Sequence, residues 1–130
     1  MSIIGIGTDI VRVARLEKLE ERYGDRLASR LLGPAEWRGY QSIANHKGPA
    51  AAYLARRFAA KEAAAKALGC GIGARARLTE LQVEHTSVGA PLLVFTGAAR
   101  RRADALGVAR SHLSISDEHD QALAFVILER

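Results

Sequence analysis

Lys61, Glu62 and Lys66 lie in a stretch, Arg57-Phe58-Ala59-Ala60-Lys61-Glu62-Ala63-Ala64-Ala65-Lys66-Ala67-Leu68-Gly69, that reads as one helix. Alanine, leucine, lysine and glutamate favour that conformation, and Gly69 can end it in a left-handed cap. At about 100° per residue, Leu54, Phe58, Ala65 and Leu68 form one apolar stripe. Lys61 falls inside that arc, and Glu62 and Lys66 lie along its edge. Ionisable groups at a core boundary need partners, because burying a charge unpaired is costly. Either the three satisfy one another, or a ligand or metal completes them. The plainer possibility is a solvated Glu62–Lys66 pair at i,i+4, worth about 0.2–0.5 kcal/mol.

A second carboxylate sharpens the choice. Residues 3–11 read as a strand with Ile4, Ile6, Thr8 and Ile10 on one face and Ile3, Gly5, Gly7, Asp9 and Val11 on the other. Two glycines leave the second face bare just before Asp9, and strand glycines often mark close approach of a ligand or another backbone. Asp9 could instead cap the following segment. Asp9 and Glu62, on separate rigid elements, suit a hard cation such as magnesium, which takes one or two protein carboxylates beside waters and substrate phosphates. Without a cation the two acids would repel and one pKa would rise. Lys61 and Lys66 could then pair with phosphate oxygens, while the Gly5-x-Gly7 face and a Gly69–Gly73 loop admit a bulky ligand. Together these indicate phosphate chemistry, in which positioning and charge neutralisation supply most of the catalysis.

The remaining elements must hold these groups in place. Residues 13–31 carry Leu16, Leu19, Tyr23, Leu27 and Leu31 near helical spacing. Gly33-Pro34-Ala35-Glu36 resembles a helix start, 42–49 a loop, and the main helix follows over about 50–68. The second half predicts strands at 78–85 and 92–95 around a turn at 87–91, and a basic helix at 97–106. Strands at 111–117 and 122–129 are joined by a hairpin at 118–121. His112, Ser114 and Ser116 share a polar face that meets solvent or lines a ligand groove. His112 is the histidine best placed to act.

Composition narrows the class. The chain has 130 residues, suiting one domain over 1–130, with 25% charged and 48% hydrophobic residues. A single cysteine, Cys70, precludes an internal disulfide and fits a reducing cytosol. No apolar run reaches the ~20 residues of a membrane span, and Met1-Ser2-Ile3-Ile4-Gly5 lacks the pattern of a signal peptide. The net charge of +5 favours an acidic partner. No nucleic-acid-binding motif accompanies it, so neither nucleic acid nor membrane is expected as a partner. A non-catalytic basic module that binds nucleic acid or an acidic protein is the rival reading. It gives no reason for the placement of Asp9, Glu62, Lys61 and Lys66.

Gly5-Ile6-Gly7-Thr8-Asp9-Ile10-Val11, then Arg15, then Arg57-Phe58-Ala59-Ala60-Lys61-Glu62-Ala63 with Lys66 and Gly69, resembles the holo-[acyl-carrier-protein] synthase family of small 4′-phosphopantetheinyl transferases. The resemblance extends to Ser111-His112-Leu113-Ser114-Ile115-Ser116-Asp117. It implies an α+β fold, an antiparallel sheet packed against helices, assembled as a homotrimer with active sites between subunits. It implies transfer of the 4′-phosphopantetheine arm of coenzyme A to a serine of apo acyl carrier protein, releasing adenosine 3′,5′-bisphosphate. By this resemblance Asp9 and Glu62 hold magnesium, and Lys66 stabilises charge on the transferring phosphoryl group or the leaving group. Lys61 and the loop with Gly69 and Gly71 hold the nucleotide, and His112 and Ser114 contact the adenosine end. Arg15, extended by Arg12 and Arg26, meets the acidic carrier protein. Cys70 departs from the family's common threonine, and Gly33 from its usual serine or threonine cap. Glu36 matches a recurrent acid of no evident role.

Overall fold

The structure, a computed structural model, describes residues 2–130. It opens with strand β1 (Ile3–Arg12), followed by helices α1 (Val13–Tyr23), α2 (Asp25–Leu31), α3 (Pro34–Gln41) and α4 (Lys47–Ala67). A 3-10 turn at Leu78–Glu80 leads into β2 (Leu81–His85) and β3 (Pro91–Phe95), then α5 (Gly97–Leu106), β4 (Arg110–Asp117) and β5 (Gln121–Glu129). The fold is α+β. β1, β5 and β4 form one antiparallel sheet in that order, and β2 and β3 form a separate antiparallel pair.

The alternation in β1 sets the central contact. Val11, Ala122, Ala124, Val126 and Leu128 are buried on the sheet face that meets α4. Gly5 and Gly7 lie on that face too. A Cβ built at Gly5 would land on the Ala67 carbonyl, and one at Gly7 on the Ala63 carbonyl. The bare glycine face therefore admits the backbone of α4, not a ligand, and the expectation that it borders a bulky ligand is corrected. Nine of the thirteen buried residues in α4 are alanines, which is what lets strand and helix approach so closely.

Three boundaries differ from the periodicity. The helix expected over 13–31 breaks at Gly24, whose φ of 57° and ψ of −136° suit only glycine. α4 starts at Lys47 and shortens the expected loop, because Pro49 in a first turn gives up an N–H that has no intrahelical acceptor anyway. β2 starts at Leu81 behind the 3-10 turn, and Gln82 is buried there with Leu81 and Val83 because its Oε1 accepts the Ala35 amide at 2.9 Å. No helix among the described residues is long and apolar enough to cross a membrane.

Candidate active site

Phe58, Glu62 and Lys66 are spaced i, i+4, i+8, so they share the face of α4 turned toward β1 and α1. Asp9 meets them from the helix-facing side of β1. Lys66 Nζ donates to Asp9 Oδ1 at 3.1 Å and to the Thr8 carbonyl at 3.0 Å. The lysine therefore crosses to the strand, and the helix-internal Glu62–Lys66 pair is not its resting partnership. Arg15 lies with its guanidinium 5.3 Å from the centre of the Phe58 ring, at the same edge. The structure thus brings Asp9, Glu62, Lys66 and Arg15 together.

Glu62 is half-buried and forms no hydrogen bond or ion pair among the described residues. Burial first, and the Asp9 carboxylate second, push its pKa above the usual glutamate value, against the pull of Lys66 and Arg15. Such a half-buried acid beside a second carboxylate has cations nearby but no direct ion-pair partner among the described residues. Two hard oxygen donors facing partly open space fit magnesium, which keeps several waters and takes further oxygens from substrate phosphates. Among the described residues no third histidine, cysteine, aspartate or glutamate joins them to form a ready-made metal cluster.

Lys61 sits elsewhere, and its expected contact with a nucleotide is corrected. Its side chain is fully buried on the adjoining flank of α4. Nζ donates to the Leu31 carbonyl at 2.6 Å, to Glu36 Oε1 at 2.6 Å and to the Leu78 carbonyl at 2.9 Å. An ammonium has three N–H donors, so none is left for a phosphate. Glu36 acquires its role here. Placed on the third residue of α3 behind Pro34, its Oε1 also accepts the Gly33 amide at 3.0 Å and its Oε2 the Val83 amide at 3.1 Å. Arg57 Nε lies 3.1 Å from Oε2 but is misaligned for a hydrogen bond, which makes the contact an ion pair.

A cleft of about 600 Å³ opens beside this cluster, lined in part by Tyr53, Arg56, Arg57, His85, Gly89 and Asp117. It borders the place where β3 and β4 run side by side without hydrogen-bonding. Arg57 stacks on Tyr53, its guanidinium 3.8 Å from the ring centre, and Arg56 reaches Asp117 at 3.5 Å. Burial, then Arg57 and Arg56, hold the His85 pKa below its usual value, as expected of an imidazole in a cationic pocket. Sequence reasoning missed this cleft. The signal was the Arg56-Arg57 pair one turn before Lys61, which places more charge at a core boundary than solubility requires.

Residues 5–126 match the 4′-phosphopantetheinyl transferase superfamily. A holo-[acyl-carrier-protein] synthase from Alkalilimnicola ehrlichii is 54% identical over 98% of this chain and 97% of its own. The crystal structure of holo-[acyl-carrier-protein] synthase from Neisseria meningitidis superposes with a TM-score of 0.91 at 39% identity, covering 99% of this chain and all of that one. The Helicobacter pylori holo-[acyl-carrier-protein] synthase, solved in complex with coenzyme A, has a TM-score of 0.79 at 29% identity, covering 95% and 99%. The chain belongs to the 4′-phosphopantetheinyl transferase superfamily.

Within the transferase fold the other expected site residues lie apart from Asp9 and Glu62. His112 and Ser114 are exposed on the sheet face turned away from α4, and His112 Nε2 is 2.5 Å from Glu129 Oε1. One chain does not bring them to the carboxylate pair. Gly69 and Gly71 have φ of 75° and 66° and carry the chain off the end of α4. The Cys70 and Gly71 amides return to the Ala65 carbonyl at 3.3 and 3.2 Å, and Arg102 Nε closes the Leu68 carbonyl at 3.0 Å. Arg12 is exposed at the end of β1, and Arg26 lies over Tyr23 at 5.9 Å.

Proposed function

We propose that this protein is a holo-[acyl-carrier-protein] synthase of one domain, residues 1–130. It moves the 4′-phosphopantetheine arm of coenzyme A onto a serine hydroxyl of apo acyl carrier protein and releases adenosine 3′,5′-bisphosphate. The observation that carries this reading is the convergence of Asp9, Glu62 and Lys66 where β1 crosses α4. The serine oxygen attacks the phosphorus bearing pantetheine, the bridging P–O bond of the pyrophosphate breaks, and the serine proton is released. Asp9 and Glu62 hold magnesium, which when bound neutralises pyrophosphate charge and orients the phosphoryl group. Lys66, held beside Asp9, offers an ammonium to the charge that builds on the phosphoryl oxygens. The cleft that holds Arg56 and Arg57 suits the phosphorylated adenosine end.

Arg15, beside Glu62, and the exposed arginines of α1 and α2 form the carrier-facing surface, since the carrier is acidic. The assembly is a homotrimer. Its support is the outer sheet face, where Ile6 (55% exposed), Ile10 (57%), Leu123 (41%) and Phe125 (40%) stand uncovered around paired β1 and β5. A contiguous apolar patch of that kind marks an interface. His112 and Ser114 flank it, opposite Ile127 and Phe125, so a neighbouring subunit can present them to the nucleotide. The cytoplasm, where coenzyme A and apo carrier meet, is the place of action.

Purified protein, magnesium and coenzyme A labelled in the pantetheine arm are to be incubated with a panel of apo carriers. The expected result is a magnesium-dependent gain of one phosphopantetheine per carrier by mass spectrometry. No transfer to any carrier would overturn the reading. A basic binding module would instead show salt-sensitive association indifferent to Asp9 and Glu62.

A further inference from the structure

We propose that the buried Lys61–Glu36 pair is a positioning device that fixes the rotation and axial register of α4, and with them the placement of Glu62 against Asp9. The inference rests on the transferase reading of Asp9 and Glu62. Asp9 is tied to the sheet, where it stands opposite Ala124 of β5. Glu62 belongs to α4, so the gap between the two acids depends on how that helix lies over β1. The close contact of Gly5 and Gly7 with the Ala67 and Ala63 carbonyls sets the distance between strand and helix. It holds α4 from one side only.

Lys61 supplies the missing direction. It immediately precedes Glu62, so the two side chains leave the helix about 100° apart. Its ammonium is held by three acceptors on three separate elements: the Leu31 carbonyl at the end of α2, Glu36 on α3, and the Leu78 carbonyl in the 3-10 turn. Glu36 is anchored in turn by the Gly33 and Val83 amides. Every donor and acceptor of the pair has a partner, so α4 can neither rotate nor slide without breaking several buried bonds at once. Buried ion pairs are seldom a gain in stability over apolar replacements, and fixing register is their best-attested use.

The test compares wild type with Lys61→Met and with Lys61→Met/Glu36→Gln. The single variant leaves the buried Glu36 carboxylate with Arg57 as its remaining counter-charge and is expected to unfold more easily than wild type. The double variant removes both charges, and the glutamine oxygen still accepts from one of the Gly33 and Val83 amides, so it is expected to unfold cooperatively at a lower Tm than wild type. In the double variant, the magnesium concentration giving half of the coenzyme A-dependent rise in Tm is expected to increase about ten-fold. Its kcat is expected to fall about a hundred-fold, as sub-ångström to ångström misplacement does, while KM for the carrier stays within about two-fold. A folded double variant with the wild-type magnesium requirement and kcat would overturn the proposal. So would a double variant that cannot fold, which would make the pair a folding requirement only. If wild type itself shows neither transfer nor magnesium-dependent stabilisation by coenzyme A, the transferase reading falls first. If wild type is active and the double variant matches it, only the positioning role falls.

Discussion

Glu62 holds its proton more tightly folded than unfolded, because burial and Asp9 disfavour its charge. The sign of the consequence is fixed by linkage. In the metal-free protein, the stability from Glu62 is present below its unfolded pKa and is lost as pH rises through its folded, raised pKa. Glu62→Gln should therefore raise the metal-free Tm, with the gap to wild type widening as pH rises above about 4 and levelling off once the folded, raised pKa is passed. Magnesium requires the ionised acid, so it should release a proton on binding and bind more weakly on the acid side of that window. The same variant should lose about a hundred-fold or more in transfer, as sites lose when one charge-stabilising group is removed. Circular-dichroism melts across pH, with and without magnesium, together with transfer rates, check all of this. Glu62 was legible in the sequence because an acid at the edge of an apolar stripe needs a reason. Lys61 obeyed the same logic with the opposite outcome: its counter-charge, Glu36, stands 25 residues away in the chain.

Among the elements, β1 and α4 form one working unit, and two glycines test it in different ways. Gly7→Ala drives a methyl group into the Ala63 carbonyl, with backbone on both sides. It should destabilise by more than about 4 kcal/mol or prevent folding, as backbone clashes in a close-packed core do. Gly24→Ala meets nothing within 4 Å and costs only the strained dihedrals of the α1–α2 break. That should amount to about 1–3 kcal/mol, with transfer activity kept. Urea titration of both variants separates steric from conformational cost. The strands and helices themselves were largely legible from alternation and helical spacing. The break at Gly24 was not, because Leu16, Leu19, Tyr23, Leu27 and Leu31 keep their spacing across it. The burial of Gln82 was not either, because its partner is the amide of Ala35.

For the molecule as a whole, the proposed trimer rests on the outer sheet face. Phe125→Asp places a carboxylate between Thr8 and Ser114 on that face. A folded monomer should result, visible by light scattering, with transfer activity lost because His112 and Ser114 no longer reach a neighbour's cleft. Full activity in a proven monomer would show that one chain holds the complete site. The alternation that buries Val11, Ala122, Ala124, Val126 and Leu128 against α4 also pushes Ile6, Ile10, Leu123 and Phe125 outward. The pattern of the strands therefore carried the apolar face, though periodicity alone does not say which side meets the helix.

By itself the sequence determined the chemistry on offer: two carboxylates, a lysine one turn beyond the second, a basic surface, and a chain of the transferase family. These are local matters of residue type and spacing. Only the tertiary structure decided the use of each charge, because partnership depends on groups distant in sequence. Glycines that suggested a ligand admit a helix backbone, Lys61 turns to Glu36 and two carbonyls, and Lys66 turns to Asp9. Of the Lys-Glu-x-x-x-Lys helix, one face anchors the fold and the adjoining face carries the proposed chemistry.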